Sequence, residues 1–146
     1  MFPQMQTMTY LHQKITEKII KAYYQVYNTL GYGFLEKVYH NALLLELRKQ
    51  DFYCQSQFPI KVFYEGVQVG DYFADIIVDE SVVIEIKAME SLCEEHEYQL
   101  INYLKATDIE IGLLLNFGKK PEFKRKIFTN DRKRVNTDNT DVTDNH

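Results

Sequence analysis

The chain carries little that would tie it to a membrane, an oxidising compartment or a structural metal. None of its 146 residues fall in an apolar run near the roughly 20 that a membrane span needs. The N-terminal MFPQMQTMTY lacks a basic segment followed by an apolar core, so no secretory signal is expected. Two cysteines, Cys54 and Cys93, cannot build a disulfide framework and are expected as reduced thiols in a cytoplasmic protein. No CxxC or paired Cys/His spacing exists, which argues against zinc. No internal repeat is present.

What is present is an ordinary globular composition, 45% apolar and 26% charged, in a length that suits one domain with a proper core. The net charge of −4 argues against a general nucleic-acid coat. It is unevenly spread. Residues 117–134 hold eight basic against two acidic residues (Glu122, Asp131), a local +6 that leaves −10 elsewhere. Such a stretch can touch phosphates, although a solvated terminal segment is the simpler reading.

The hydrophobic pattern predicts the order α-α-β-β-β-α-β, a single α/β domain with a mixed central sheet flanked by helices. Residues 1–10 show no clear pattern and are expected to be flexible. Ile15, Ile19, Ala22, Tyr23, Val26 and Leu30 recur at helical spacing over 11–30, and Gly31-Tyr32-Gly33 ends that helix. A second helix is predicted over 34–49, with Leu35, Val38, Ala42 and Leu45 inward. After a break at 49–57, FPIKVFYEG, YFADIIV and VVIEIKA read as strands joined by short polar links, an antiparallel meander. A helix over 89–106 and the apolar run IEIGLLLNFG suggest a buried strand reached by a right-handed crossover. The domain is placed at 11–128, and 129–146 is expected to be a disordered polar tail.

Within those strands, Asp75, Glu85 and Lys87 stand where Val or Ile would pack better. Burying a charge without a partner costs several kcal/mol, and the group usually neutralises instead. Glu85 and Lys87 are two apart and share one face of their strand. Pairing symmetric about Glu80 sets Asp75 opposite Glu85, a register that a slip of one residue would destroy. Two carboxylates at about 4 Å repel by about 1 kcal/mol in water and about 4 at an effective dielectric of 20. A divalent cation reverses that sign. Carboxylate oxygens completed by water and phosphate are what Mg²⁺ prefers, and a lysine alongside can hold water or stabilise charge on phosphorus. An exposed Glu85–Lys87 salt bridge is the plainer alternative.

At these residues the sequence resembles a known family. ADIIVDESVVIEIKA is similar to the active-site hairpin of the PD-(D/E)XK nuclease superfamily. GFLEKVY at 33–39 resembles the signature of the GxxExxY protein family, as do HEYQLINYLKAT and GLLLNFG. The similarity covers roughly residues 14–128. Ala74 stands where the superfamily motif has proline, but the aspartate supplies the ligand. The resemblance implies a restriction-endonuclease-like fold. It implies Mg²⁺ or Mn²⁺ held by Asp75, Glu85 and the Ile86 carbonyl, with Glu36 as a further ligand, and catalysis by Asp75, Glu85, Lys87 and Gln99. Without the resemblance, Glu36 reads as a carboxylate favoured in the first turn of a helix. Tyr39, three residues on, packs or orients Glu36; His96, on one helix face with Gln99, contacts phosphate or the site's periphery, and the plainer reading of His96 and Gln99 is an ordinary surface position on an amphipathic helix. The tyrosines invite a base-stacking reading, but Tyr23 and Tyr103 fall on apolar helix faces and are assigned to the core.

The leading expectation is a metal-dependent nuclease in which activated water attacks phosphorus in line, acting on DNA rather than RNA. The alternative is a non-catalytic module that binds nucleic acid or protein on the same fold. A homo-oligomer is a further expectation, and no membrane partner is expected.

Overall fold

The computed structural model describes residues 3–133, with side chains from residue 12 onward. Helices α1 (Pro3–Leu30) and α2 (Glu36–Lys49) precede strands β1 (Cys54–Tyr64), β2 (Val67–Val78) and β3 (Val82–Lys87). Helix α3 (Glu94–Lys105), strands β4 (Ile111–Phe117) and β5 (Pro121–Ile127), and a 3₁₀ turn at Asn130–Arg132 follow. The five strands lie in the order β1-β2-β3-β4-β5. Only β3 and β4 are parallel, as a crossover through α3 requires. The mixed sheet flanked by helices has the expected restriction-endonuclease-like architecture. Among the described residues, no helix is long and apolar enough to cross a membrane.

Two apolar layers sandwich the sheet. On one face α1 and α2 bury Ile19, Tyr23, Tyr39, Leu43 and Leu47 against Ile76, Ile84, Ile86 and Leu115. On the other, α3 buries Leu100, Tyr103 and Leu104 against Ile77, Val83 and Leu114. Tyr23 and Tyr103 are core residues, as their helical positions predicted.

Four expectations need correction. α1 begins at Pro3 rather than at Leu11. β5 was absent from the predicted order; it is an edge strand whose charged, largely exposed side chains hide its period. α3 starts at Glu94 rather than at Met89. The inward face of α2 is Tyr39, His40, Leu43 and Leu47, whereas Leu35 is 79% exposed and Val38 and Leu45 also face solvent. Both stripes are apolar at helical spacing. The choice is made by Tyr39, whose ring stacks on Phe117 at 4.3 Å and whose hydroxyl donates to Gly31 O at 2.7 Å. The tail beyond residue 133 lies outside the described residues.

The chain leaving β3 is held by β4 and β5. Asn116, fully buried, accepts from Met89 N–H and donates to Met89 O, both at 2.9 Å. Glu122 accepts from Leu92 N–H at 3.2 Å. Tyr23 donates to the Asn116 carbonyl, and Tyr27 donates to Gly118 and Lys119 carbonyls at 2.8 and 2.6 Å. A Cβ at Gly118 would lie 2.2 Å from Met89 O, so only glycine fits beside this clamp.

Asn116→Ala leaves both Met89 backbone groups without their partners, at about 1–3 kcal/mol for each group desolvated. Thermal unfolding is expected to show a Tm lower by about 5 °C or more, with a comparable loss in Gly118→Ala. An unchanged Tm in both variants would contradict the clamp.

Candidate active site

The β2–β3 ladder pairs Val78 with Val82, Ile77 with Val83 and Ile76 with Ile84. That is the register symmetric about Glu80, and it sets Asp75 against Glu85. The strands part there, and side chains replace the ladder. Asp75 N–H donates to Glu85 Oε2 at 3.0 Å, and Ile86 N–H donates to Asp75 Oδ2 at 2.7 Å. Each carboxylate thus satisfies a backbone donor of the opposite strand.

A local twist in the hairpin makes this possible. Cys54, Ile76 and Val78 face the α1/α2 layer, whereas Ile60 and Ala74 face α3. Side chains of one parity should stay on one face of a strand. The exchange occurs where the β1–β2 pairing passes from Ser56–Ile76 to Phe58–Ala74. Gln57, between them, has φ +53°, a left-handed kink that leaves the pairing register unchanged on either side. Asp75 sits opposite that kink and turns toward β3.

The acids are strongly perturbed. Glu85 is 6% exposed, and its pKa is pushed up to about 8, chiefly by burial and then by the Asp75 charge. The Asp75 N–H and the Lys87 charge oppose the rise, and Glu36 adds to it. Asp75 is raised by burial, against the Ile86 N–H, the His40 and Lys87 charges and a hydrogen bond from Gln57. Desolvation and a like-charged neighbour both disfavour ionisation, which is the combination found at functional carboxylates. An exposed Glu85–Lys87 salt bridge does not describe this pair.

The remaining candidates are dispersed around the pair. Glu36, exposed in the first turn of α2, lines a cleft of about 370 Å³ with Asp75, Ile86, His40, Ser56 and Gln57. Lys87 is half-buried, with its charge felt by both acids. Gln99 lies across the sheet on α3, where its amide donates to Tyr103 Oη at 2.9 Å. The Tyr103 phenol is raised by burial first and then by the Glu85 charge. Two candidates are engaged elsewhere. Tyr39 anchors the 31–34 loop, accepting from Phe34 N–H at 3.2 Å. His96 caps α3, with Nδ1 accepting from Cys93 N–H at 3.2 Å.

Lys37, His40, Asn41, Ser56 and Gln57 of the cleft were not singled out by sequence. His40 is 8% exposed, and its Nε2 lies 2.8 Å from Ser56 Oγ. Its position four residues after Glu36 was the available signal. Ser56 and Gln57 fall in a stretch that reads as a break because the kink destroys its period.

Among the described residues, no three His, Cys, Asp or Glu side chains form a group able to hold a metal ion alone. The two adjacent carboxylates still fit a hard divalent cation, because their mutual repulsion is what such a charge relieves. A cation that keeps several waters needs only one or two protein carboxylates.

A family model described as the PD-(D/E)XK nuclease superfamily matches residues 13–126. Comparison with curated proteins finds no match. The crystal structure of SSO0001 is similar with a TM-score of 0.52 and 22% identity, over 74% of this chain and 55% of that one. The likeness speaks to the fold alone, and the match spans little more than half of SSO0001. The family match extends over most of the chain and includes the forked strands with their acid pair; the chain belongs to the PD-(D/E)XK nuclease superfamily.

Proposed function

We propose that the protein is a metal-dependent nuclease of the GxxExxY branch, hydrolysing phosphodiester bonds of DNA in preference to RNA in the cytoplasm. The observation that carries this reading is the Asp75–Glu85 pair, cross-bonded through backbone amides in the β2–β3 fork beside Lys87. Two raised acids held together this way weaken the metal-free fold. A binding role for the same fold would not call for them.

Asp75, Glu85 and the Ile86 carbonyl would hold Mg²⁺ or Mn²⁺, with Glu36 entering from the mouth of the α2 cleft. The cation supplies Lewis acidity toward a phosphoryl oxygen and lowers the pKa of water. The chain's own groups supply the rest. The backbone amides of Asp75 and Ile86 fix the two carboxylates, so neither must reorganise. Lys87 offers a positive charge for water or for the charge that develops on phosphorus. His40, braced by Ser56, faces Asp75 and biases it toward ionisation. Gln99, bonded to Tyr103, serves the opposite rim and positions substrate rather than the acids.

The raised acids set a pH dependence. Glu85 titrates near 8 in the fold against 4.5 as an unperturbed group. Between those values the folded state holds more protons than the unfolded one. The stability this group contributes is complete below the lower value and is lost as pH rises through the upper one. Asp75 acts in the same direction. In EDTA, Tm is expected to fall between about pH 5 and pH 8, and Glu85→Gln to flatten the fall. Mg²⁺ should raise Tm most at the alkaline end, where it does not compete with protons. A wild-type profile equal to that of Glu85→Gln would contradict the assignment.

Calorimetric titration with Mg²⁺ or Mn²⁺, paired with cleavage assays on DNA and RNA, tests the function. Asp75→Asn should lose metal binding, and Lys87→Ala should lower the cleavage rate at least about a hundredfold. A wild type that neither binds metal nor cleaves would support a non-catalytic binding module instead.

A further inference from the structure

Clefts open on both sides of the sheet. The one on the α2 side is polar and belongs to the site already described. The one on the α3 side is larger, about 450 Å³, and its lining differs in kind. It lies between α3 and the far half of the β1–β2 hairpin, which runs on beyond the last β2–β3 pair at Ile76–Ile84. Tyr72 from the hairpin and Tyr98 and Tyr103 from α3 form its walls, with Gln99, Asn102 and Glu95 among them.

Core packing accounts for Tyr103 but not for the other two. Tyr72 is 49% exposed and Tyr98 is 60% exposed. The Tyr72 ring stands 5.8 Å from the Tyr103 ring, tilted by 46°, so one aromatic surface opens to solvent above a buried base. Grouped exposed aromatics rimmed by polar side chains mark ligand-binding grooves. The amides of Gln99 and Asn102 and the carboxylate of Glu95 offer donors and acceptors at the edge of a flat ligand. Tyr103 lines this cleft, and its phenol is raised by burial first and then by the Glu85 and Asp75 charges, so the cleft lies within electrostatic range of the acids.

We propose that this α3-side cleft is a base-stacking subsite, so that the substrate is a single strand or a frayed end with at least one unpaired base lodged against Tyr72 and Tyr98. The inference rests on the nuclease reading, since a phosphate at the fork is what would bring a base to the neighbouring cleft. A paired base inside a duplex cannot enter, because its faces are covered by its neighbours and its edge by its partner. Stacking tolerates any base, so little sequence preference is expected.

The test is fluorescence anisotropy with the full chain carrying Asp75→Asn, which stops turnover while leaving an acceptor for the Ile86 amide. Three labelled probes are compared: single-stranded DNA, its blunt duplex, and an abasic strand of equal length. Tyr98→Ala, and Tyr72→Ala with it, should weaken single-strand binding at least about fivefold. Duplex and abasic-strand binding should not change, and the matching Phe variants should restore affinity. Tyr98 is the safer single site because its side chain is mostly in solvent. Equal losses on the abasic strand, or no loss on the single strand, would overturn the subsite. Cleavage by the otherwise wild-type protein in Mg²⁺ would then leave the nuclease reading intact. No binding to any probe together with no cleavage would remove both. Self-association that the Tyr variants abolish, with DNA binding untouched, would assign the cleft to a second copy and overturn the inference.

Discussion

Where β2 and β3 part, carboxylates take over the hydrogen bonds that strand pairing would otherwise make. Asp75 reaches the Ile86 amide and Glu85 reaches the Asp75 amide. This crossed pair closes the fork without bringing the strands together, and it fixes two acids where burial and mutual repulsion both favour their neutral forms. A packed apolar pair at the same register would be more stable in isolation, because desolvated charges rarely recover their cost. The fork therefore has the character of a site whose stability depends on what binds it.

The rest of the architecture holds that fork in place. The kink at Gln57 turns Asp75 toward β3, and it needs the long β1–β2 ladder on both sides to define it. β3 is fixed from its other edge by the parallel β4, with Glu85 against Leu114 and Lys87 against Asn116. Asn116 then clamps the exit of β3 at Met89, while Tyr23 and Tyr27 from α1 hold the turn from β4 to β5. Tyr39, stacked on Phe117, seats α2 so that Glu36 and His40 face Asp75 across the cleft. The motif-like stretches around residues 33–39 and 112–118 thus meet in space, as parts of the framework behind the acids.

Much of this was legible in sequence because the signals were local. A three-residue link fixed the β2–β3 register, and a near-continuous apolar run announced β4 as a buried strand. Other features had no local signal. β5 lies on a sheet edge with no regular alternation of exposed and half-buried positions, and Lys124, Arg125 and Lys126 run through it, so it shows no strand period. The inward face of α2 was ambiguous between two apolar stripes until Phe117 selected Tyr39. His40 gains its meaning from Ser56 and Asp75, far away in sequence. His96 shares a helix face with Gln99, yet it is used to cap that helix, since helical spacing sets direction but not distance along the axis.

The central claim is that the crossed acid pair is a cation site, and carboxyl-carbon NMR titration of Glu85 and Asp75 tests it most directly. Glu85 in metal-free protein is expected to titrate near 8, Asp75 to be raised as well, and Mg²⁺ to return both toward the ordinary carboxylate range. Acids that titrate at ordinary values without metal, and do not respond to it, would contradict the account.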